Sequence, residues 1–241
     1  MNYGERVINP YFIFRGVDSR KMGIIVTSMP ERVRPEKRVD TVEIPGRSGV
    51  LHVDGESYEN YTKTAECAVI GRRNLDQICA WLTGEGEAIF STEPSKIYRV
   101  RVDNQISMGK MMQYFQSFQV NFETYPFAYS VNAKDEAVVL TAAGSLYNRG
   151  TVYSEPKITV YGTGNVTLTV NGIAYGLTGI DGYVTVDSEA MEVYKDGESR
   201  NQTYMPPEAG ELFPTFQVGK NTLSWTGNVE KVEVEPRWRW V

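Results

Sequence analysis

Asn74-Leu75-Asp76-Gln77-Ile78-Cys79-Ala80-Trp81-Leu82-Thr83-Gly84 is the one stretch of this 241-residue chain that reads as a helix. Asn74 can serve as the N-cap, and Gln77 sits where a capping box wants Glu or Gln. Gly84 falls where a helix ends in a left-handed residue. Leu75, Ile78, Cys79 and Leu82 recur at helical spacing and give one apolar face. A lone amphipathic helix has to bury that face, and nearly everything around it reads as strand. The fold class is therefore mainly β, with a single helix laid on a sheet.

Upstream of the helix, Ala65, Cys67 and Val69 alternate with Thr64, Glu66 and Ala68, the pattern of a one-sided strand. Asp54-Gly55 and Glu59-Asn60 read as turns before it. Thr41 to Ile44 begins another strand, which stops at Pro45-Gly46-Arg47-Ser48-Gly49, a cluster that calls for special backbone angles. Pro30 to Asp40 reads as an exposed connection of mixed charge. Residues 6–29 read as two strands around Gly16-Val17-Asp18-Ser19.

Downstream, Ala88-Ile89-Phe90 is a short strand, and Tyr98 to Val102 and Phe115 to Tyr125 are longer ones. The segment between the longer two is too long for a tight hairpin, and it holds Ile106, Met108, Met111 and Met112, with Phe115 just beyond. Asn132 to Glu136 is polar and reads as a linker, which divides the chain into domains 1–133 and 134–241. The second domain is strands and turns throughout. Asn171-Gly172 is its strongest hairpin signal, Asp181-Gly182 and Asp196-Gly197 mark two more turns, and Phe216 to Val218, Thr222 to Trp225 and Val229 to Glu235 read as separate short strands. That spacing predicts a β-sandwich.

Composition and motifs point away from chemistry. The net charge is −5, which argues against nucleic-acid binding. No apolar run is long enough to span a bilayer, and the first residues lack the apolar core of a signal peptide, so folding in a cytosol is expected. Cys67 and Cys79 both sit in apolar patterns and read as buried free thiols. His52 is the single histidine, which excludes a multi-histidine metal site within one chain; it reads as an ordinary strand residue. Gly219-Lys220-Asn221 lacks the other residues of a phosphate loop, and Gly84-Glu85-Gly86 lacks the third glycine of a dinucleotide fingerprint. Glu230, Glu233 and Glu235 read as a solvated strand face rather than a glycosidase pair. Trp225, Trp238 and Trp240 suit packing better than sugar stacking. The expectation is no enzyme, no cofactor and no metal.

Several fragments, in order, resemble the distal tail proteins of siphophages, the Dit family. In the first half these are Phe14-Arg15-Gly16-Val17-Asp18-Ser19 with Gly23-Ile24-Ile25-Val26, Ile44-Pro45-Gly46-Arg47-Ser48-Gly49, Trp81-Leu82-Thr83-Gly84-Glu85-Gly86 with Phe90-Ser91, and Tyr125-Pro126-Phe127. In the second half they are Asn148-Arg149-Gly150-Thr151 with Ser154-Glu155-Pro156, Asp187-Ser188-Glu189, Phe213-Pro214 with Gly219-Lys220-Asn221, and Pro236-Arg237-Trp238-Arg239.

The resemblance implies two β-sandwich domains, the first with one helix and an extended hairpin arm, the second galectin-like. It implies a structural role in the virion tail, assembled in the host cytoplasm. Six copies would form a hexameric ring hub through the first domain, joining the tail tube protein to the tail-associated tip protein and, in some phages, to receptor-binding proteins. The alternative is a carbohydrate-binding module for host-surface adhesion, although the chain has no room for the large carbohydrate-binding insertions of some family members.

Two stretches are the candidate contact sites. Arg47 is presented by an unusual turn and suits pairing with a carboxylate or backbone carbonyls at a subunit contact. Ile106, Met108, Met111, Met112 and Phe115 form an apolar, adaptable cluster where a hairpin tip should be polar, which predicts packing on a neighbouring subunit or partner. Since DNA must pass such a hub, the channel is expected to be neutral to acidic, without duplex affinity at physiological salt.

Overall fold

The computed structural model describes residues 9–43, 45–46, 48–70, 75–106, 109–112, 115–132 and 136–241. The chain is mainly β and divides into two compact units, one up to Val131 and one from Asn132 to Trp240. Among the described residues no helix is long and apolar enough to cross a membrane.

The first unit contains β1 (Phe12–Phe14), β2 (Val17–Asp18), β3 (Ile24–Ser28), β4 (Lys37–Glu43), β5 (Val50–Tyr58), β6 (Tyr61–Ile70), α1 (Leu75–Trp81), β7 (Gly84–Phe90), β8 (Lys96–Val102), β9 (Gly109–Met112) and β10 (Phe115–Ser130). The main sheet runs β2-β1-β7-β8-β10-β6-β3, with β9 paired to β10, while β4 and β5 pair only with each other. Period-two alternation decides the inner face. Ala65, Cys67 and Val69 of β6, Val100 and Val102 of β8, and Val120 and Phe122 of β10 are all buried. Phe122 is the centre of an aromatic cluster, meeting Phe12, Phe14 and Phe90 edge-on at ring distances of 5.3, 6.0 and 5.3 Å.

The helix covers this core. Ile78 and Leu82 are buried, and the Trp81 ring stacks on Phe12 at 5.7 Å. Its indole N–H donates to the Phe14 carbonyl at 3.1 Å. Asn74, the expected cap, lies outside the described residues. Gly84 has a left-handed φ of 74°, but it opens β7 rather than closing the helix. Cys79 corrects the expectation of two buried thiols: it is exposed, whereas Cys67 is buried. On so short a helix the covered face narrows to Ile78, Leu82 and Trp81, and position 79 turns outward. Burial holds the Cys67 thiol up at about 12, so it stays protonated.

Two of the family-like fragments meet at the helix end. Arg15 Nε donates to the Glu85 carbonyl at 2.8 Å, and its backbone N–H to Glu87 at 3.0 Å. A Cβ on Gly86 would lie 2.6 Å from Arg15 Cγ, so this position has to stay bare for the arginine to cross it.

The second unit contains β11 (Val138–Leu140), β12 (Gly144–Asn148), β13 (Lys157–Val170), β14 (Ile173–Asp187), β15 (Glu192–Lys195), β16 (Glu198–Ser199), β17 (Tyr204–Met205) and β18 (Gly219–Glu235). Its order is β11-β18-β13-β14-β15-β16, with β12 on β18 and β17 on β14. Three long strands replace the many short ones expected. Asp181-Gly182 lies inside β14, and residues 222–235 belong to one strand, β18. In the first unit Asp54-Gly55 likewise lies inside β5. A neighbouring strand, β4 for β5 and β13 for β14, overrides turn-forming residues. The β13–β14 ladder breaks register between Gly164 and Val166, and residues from both sides of the break, such as Val160 and Leu168, reach one core. Asn171-Gly172 forms the β13–β14 hairpin with both residues at positive φ.

Candidate assembly surfaces

The β4–β5 pair is a hairpin arm outside the main sheet. Its connection is the Pro45 to Gly49 cluster, in which Gly46 and Gly49 take φ of 83° and 86°. Arg47 lies outside the described residues. The strands themselves carry what sequence reading missed. Val39, Val42, Val50 and Leu51 are 42%, 46%, 44% and 46% exposed, and Val42 sits directly across from Leu51. The missed signal was the Val and Leu residues flanking the glycine turn, of which Val42 and Leu51 lie on one face of the pair and Val39 and Val50 on the other. His52 is exposed on this arm, opposite Thr41.

The methionine-rich segment folds as a second hairpin. β9 pairs with β10 in the register Met112 to Phe115 and Ser117 to Gly109. The region read as one long connection is thus a connection plus a short strand. Ile106, before β9, is half-buried. Met108 lies outside the described residues, and only the backbone of Met111, Met112 and Phe115 is described. Next to this hairpin, Ile70 of β6 is 66% exposed and pairs with Phe115, and Ile25 of β3 is exposed as well.

In the second unit, the family-like fragments interlock. Arg237 makes a bidentate pair with Asp187, at 2.6 and 2.8 Å, and reaches Glu189 at 3.2 Å. Burial would raise the Asp187 carboxyl, but the Arg237 hydrogen bonds and the Ala190 N–H outweigh it and hold it below the usual range. Arg239 donates to the Tyr153 carbonyl at 2.9 Å and pairs with Glu155 at 2.8 Å. Asn148 accepts the Gly150 N–H at 2.8 Å and donates to the Val152 and Phe216 carbonyls. Asn221 donates to Gln217 and Gly219 and accepts from Gln217. These turns are tied by charge and amide bonds rather than by chemistry on a ligand. Trp238 is buried, and Trp225 and Trp240 pack against the same core. Among the described residues, no group of three or more His, Cys, Asp or Glu could hold a metal ion.

Residues 16–124 match the family described as phage tail protein RIFT-related domain. A comparison with curated proteins finds no significant match. Among solved structures, the chain is similar to the crystal structure of the Dit protein (gp 19.1) of phage SPP1, with a TM-score of 0.71 at 17% identity. The likeness covers 93% of this chain and 97% of that one, so it runs through both units. Residues 16–124 of the first unit are therefore similar to the phage tail protein RIFT-related domain, and the chain has, over nearly its whole length, the fold of the SPP1 Dit protein.

Proposed function

We propose that this protein is a structural hub subunit of a siphophage tail, assembling as a hexameric ring between the tail tube protein and the tail-associated tip protein. The SPP1 protein it resembles is described as a paradigm of the hub adsorption apparatus in phages infecting Gram-positive bacteria. The observation that carries the reading is the β4–β5 arm. A two-stranded hairpin is marginal in water on its own, and this one exposes four aliphatic side chains. A second copy that covers them both stabilises the arm and closes a contact. Because the arm and its cover are different surfaces, such contacts run head to tail, and they generate a ring when the rotation between copies closes.

The ring-forming domain is then residues 1–133, and residues 134–241 are a galectin-like domain. Arg47 belongs to the arm's turn and would pair with a carboxylate or carbonyls of the neighbour. The Ile106, Met108, Met111, Met112 and Phe115 cluster, beside exposed Ile70, is the second contact surface. Assembly takes place in the bacterial cytoplasm, and the product resides in the virion tail. The protein has no enzymatic activity in this reading. Lys plus Arg equals Asp plus Glu over residues 1–131, so the net −5 falls in the second unit, which suits a ring whose channel does not hold DNA. The carbohydrate-binding alternative rests on tryptophans that pack against the second unit's core.

Electron microscopy of the purified protein, alone and with the tube and tip proteins, tests this. Six-fold rings joined to both partners are expected. A protein that stays monomeric and binds neither would refute it. Met111→Asp with Met112→Asp is expected to weaken assembly while the monomer stays folded.

A further inference from the structure

The positions of β6 that face the core include Lys63, Ala65, Cys67 and Val69, and one of these is a lysine. Lys63 is only 3% exposed, although lysine is among the residues least often buried. Its ammonium lies 4.8 Å from the Tyr98 ring centroid, 5.6 Å from Phe90 and 5.9 Å from Tyr61. Glu93, on the turn between β7 and β8, comes within 3.8 Å. Burial lowers the Lys63 ammonium from its ordinary value, and the Glu93 charge opposes that. Glu93 also accepts the Tyr98 hydroxyl, pairs with Lys96 at 2.9 Å and meets Arg32 at 3.7 Å.

What this cluster grips is a strap. Residues 29–36 run from β3 to β4, between the body of the unit and its arm, without joining a strand. Lys63 donates to the Glu31 carbonyl at 3.1 Å, Arg32 reaches Glu93, and Pro30 and Pro35 are buried. The arm's base continues the same attachment. The Glu59 N–H donates to the Glu36 carbonyl at 2.8 Å, Arg38 pairs with Glu59 at 2.6 Å, and Tyr58 packs edge-on against Phe127 at 5.6 Å.

An aliphatic residue at 63 would finish the core without reaching the strap. A lysine there desolvates a charge, and a hydrogen bond to that charge is worth more than a neutral one. Lifting the strap would leave the ammonium buried and short of an acceptor, so strap and cluster should open together. We propose that Lys63 and Glu93 form a latch that fixes strap 29–36 on the body and thereby sets the direction of the β4–β5 arm. Its consequence for assembly rests on the arm being a subunit contact; the latch itself does not.

Trypsin reads the latch directly in the full chain. The Arg32–Val33 bond lies in the strap, and its cutting follows how often the strap lifts. Lys63→Met fills the space without the charge; Glu93→Gln keeps the shape and removes the counter-charge. Both variants should be cut after Arg32 about tenfold faster or more, the size of effect expected for losing a charged hydrogen bond. The thermal midpoint of Lys63→Met should change little, because Glu93 keeps Lys96 and the Tyr98 hydroxyl as partners and no buried charge is left unpaired. If Lys63→Met fails to fold, Glu93→Gln decides alone. Unchanged cutting in the folded variants, or faster cutting that only follows a lower midpoint, would overturn the latch. Both variants should also assemble less tightly. If the strap opens and arm-face substitutions abolish assembly, yet the latch variants assemble as well as the parent, the arm-directing role is overturned. If arm-face substitutions leave assembly intact, the functional reading fails instead, and the cutting rates still decide the latch.

Discussion

Replacing the arm's cross-strand pair with Val42→Lys and Leu51→Glu should dismantle the assembly and leave the monomer folded. The two positions face each other across β4 and β5, so an opposite-charge pair keeps the hairpin while its face turns polar. Val39, Val42, Val50 and Leu51 are still 42–46% exposed in the single chain. Full burial of such a side chain is worth about 1.5–3 kcal/mol. Slightly under half of that remains available, so each contributes roughly 1 kcal/mol when covered, and Val42 and Leu51, which share one face of the arm, about 2 kcal/mol together. The double variant forfeits this and adds the desolvation of two charges, which costs several kcal/mol more. Association should therefore weaken at least ~30-fold per contact, since 1.4 kcal/mol is a factor of ten. Sedimentation velocity over a wide concentration range, alone and with the tube and tip proteins, measures it. An assembly mass equal to the parent's at every concentration would refute the reasoning.

Three further outcomes are expected. Gly150→Ala should destabilise the second unit by about 2 kcal/mol or more, read by calorimetry, because its Cβ would lie 2.2 Å from the Arg239 carbonyl and backbone must shift. The Asp187–Arg237 pair should make that same unit acid-sensitive. The folded carboxyl lies below the ordinary 3.8, so its contribution is complete above that value and is lost as pH falls through the depressed folded value; Asp187→Asn should flatten the loss of stability below about pH 4. The purified protein should not retard duplex DNA at physiological salt, and salt-sensitive retardation would contradict a neutral-to-acidic channel.

Sequence alone determined the fold class, because periodicity reports burial directly. The alternation over Lys63 to Ile70 and the single helical spacing at 75–82 are properties of the chain that any folded state has to satisfy. It also located the Asn171-Gly172 hairpin, since those two positive φ angles suit few other residues. Turn chemistry misled at Asp54-Gly55 and Asp181-Gly182, where a strand partner holds residues that would turn if left alone. The helix was legible, but its buried face was not; Cys79 points outward because a helix of seven residues covers only what Phe12 and Phe14 present. Arg47 and the 106–115 cluster were chosen from local composition. The arm's exposed aliphatic residues escaped notice because exposure depends on what fails to pack against a strand, which the Val and Leu residues flanking the turn do not by themselves record. Lys63 shows the same limit most sharply. Its inward parity could be read from the sequence, but the carbonyl of Glu31, 32 positions away, becomes its partner only when the strap folds across β6. Sequence fixes which faces are apolar; only tertiary structure decides which surfaces meet, because those contacts join residues distant along the chain.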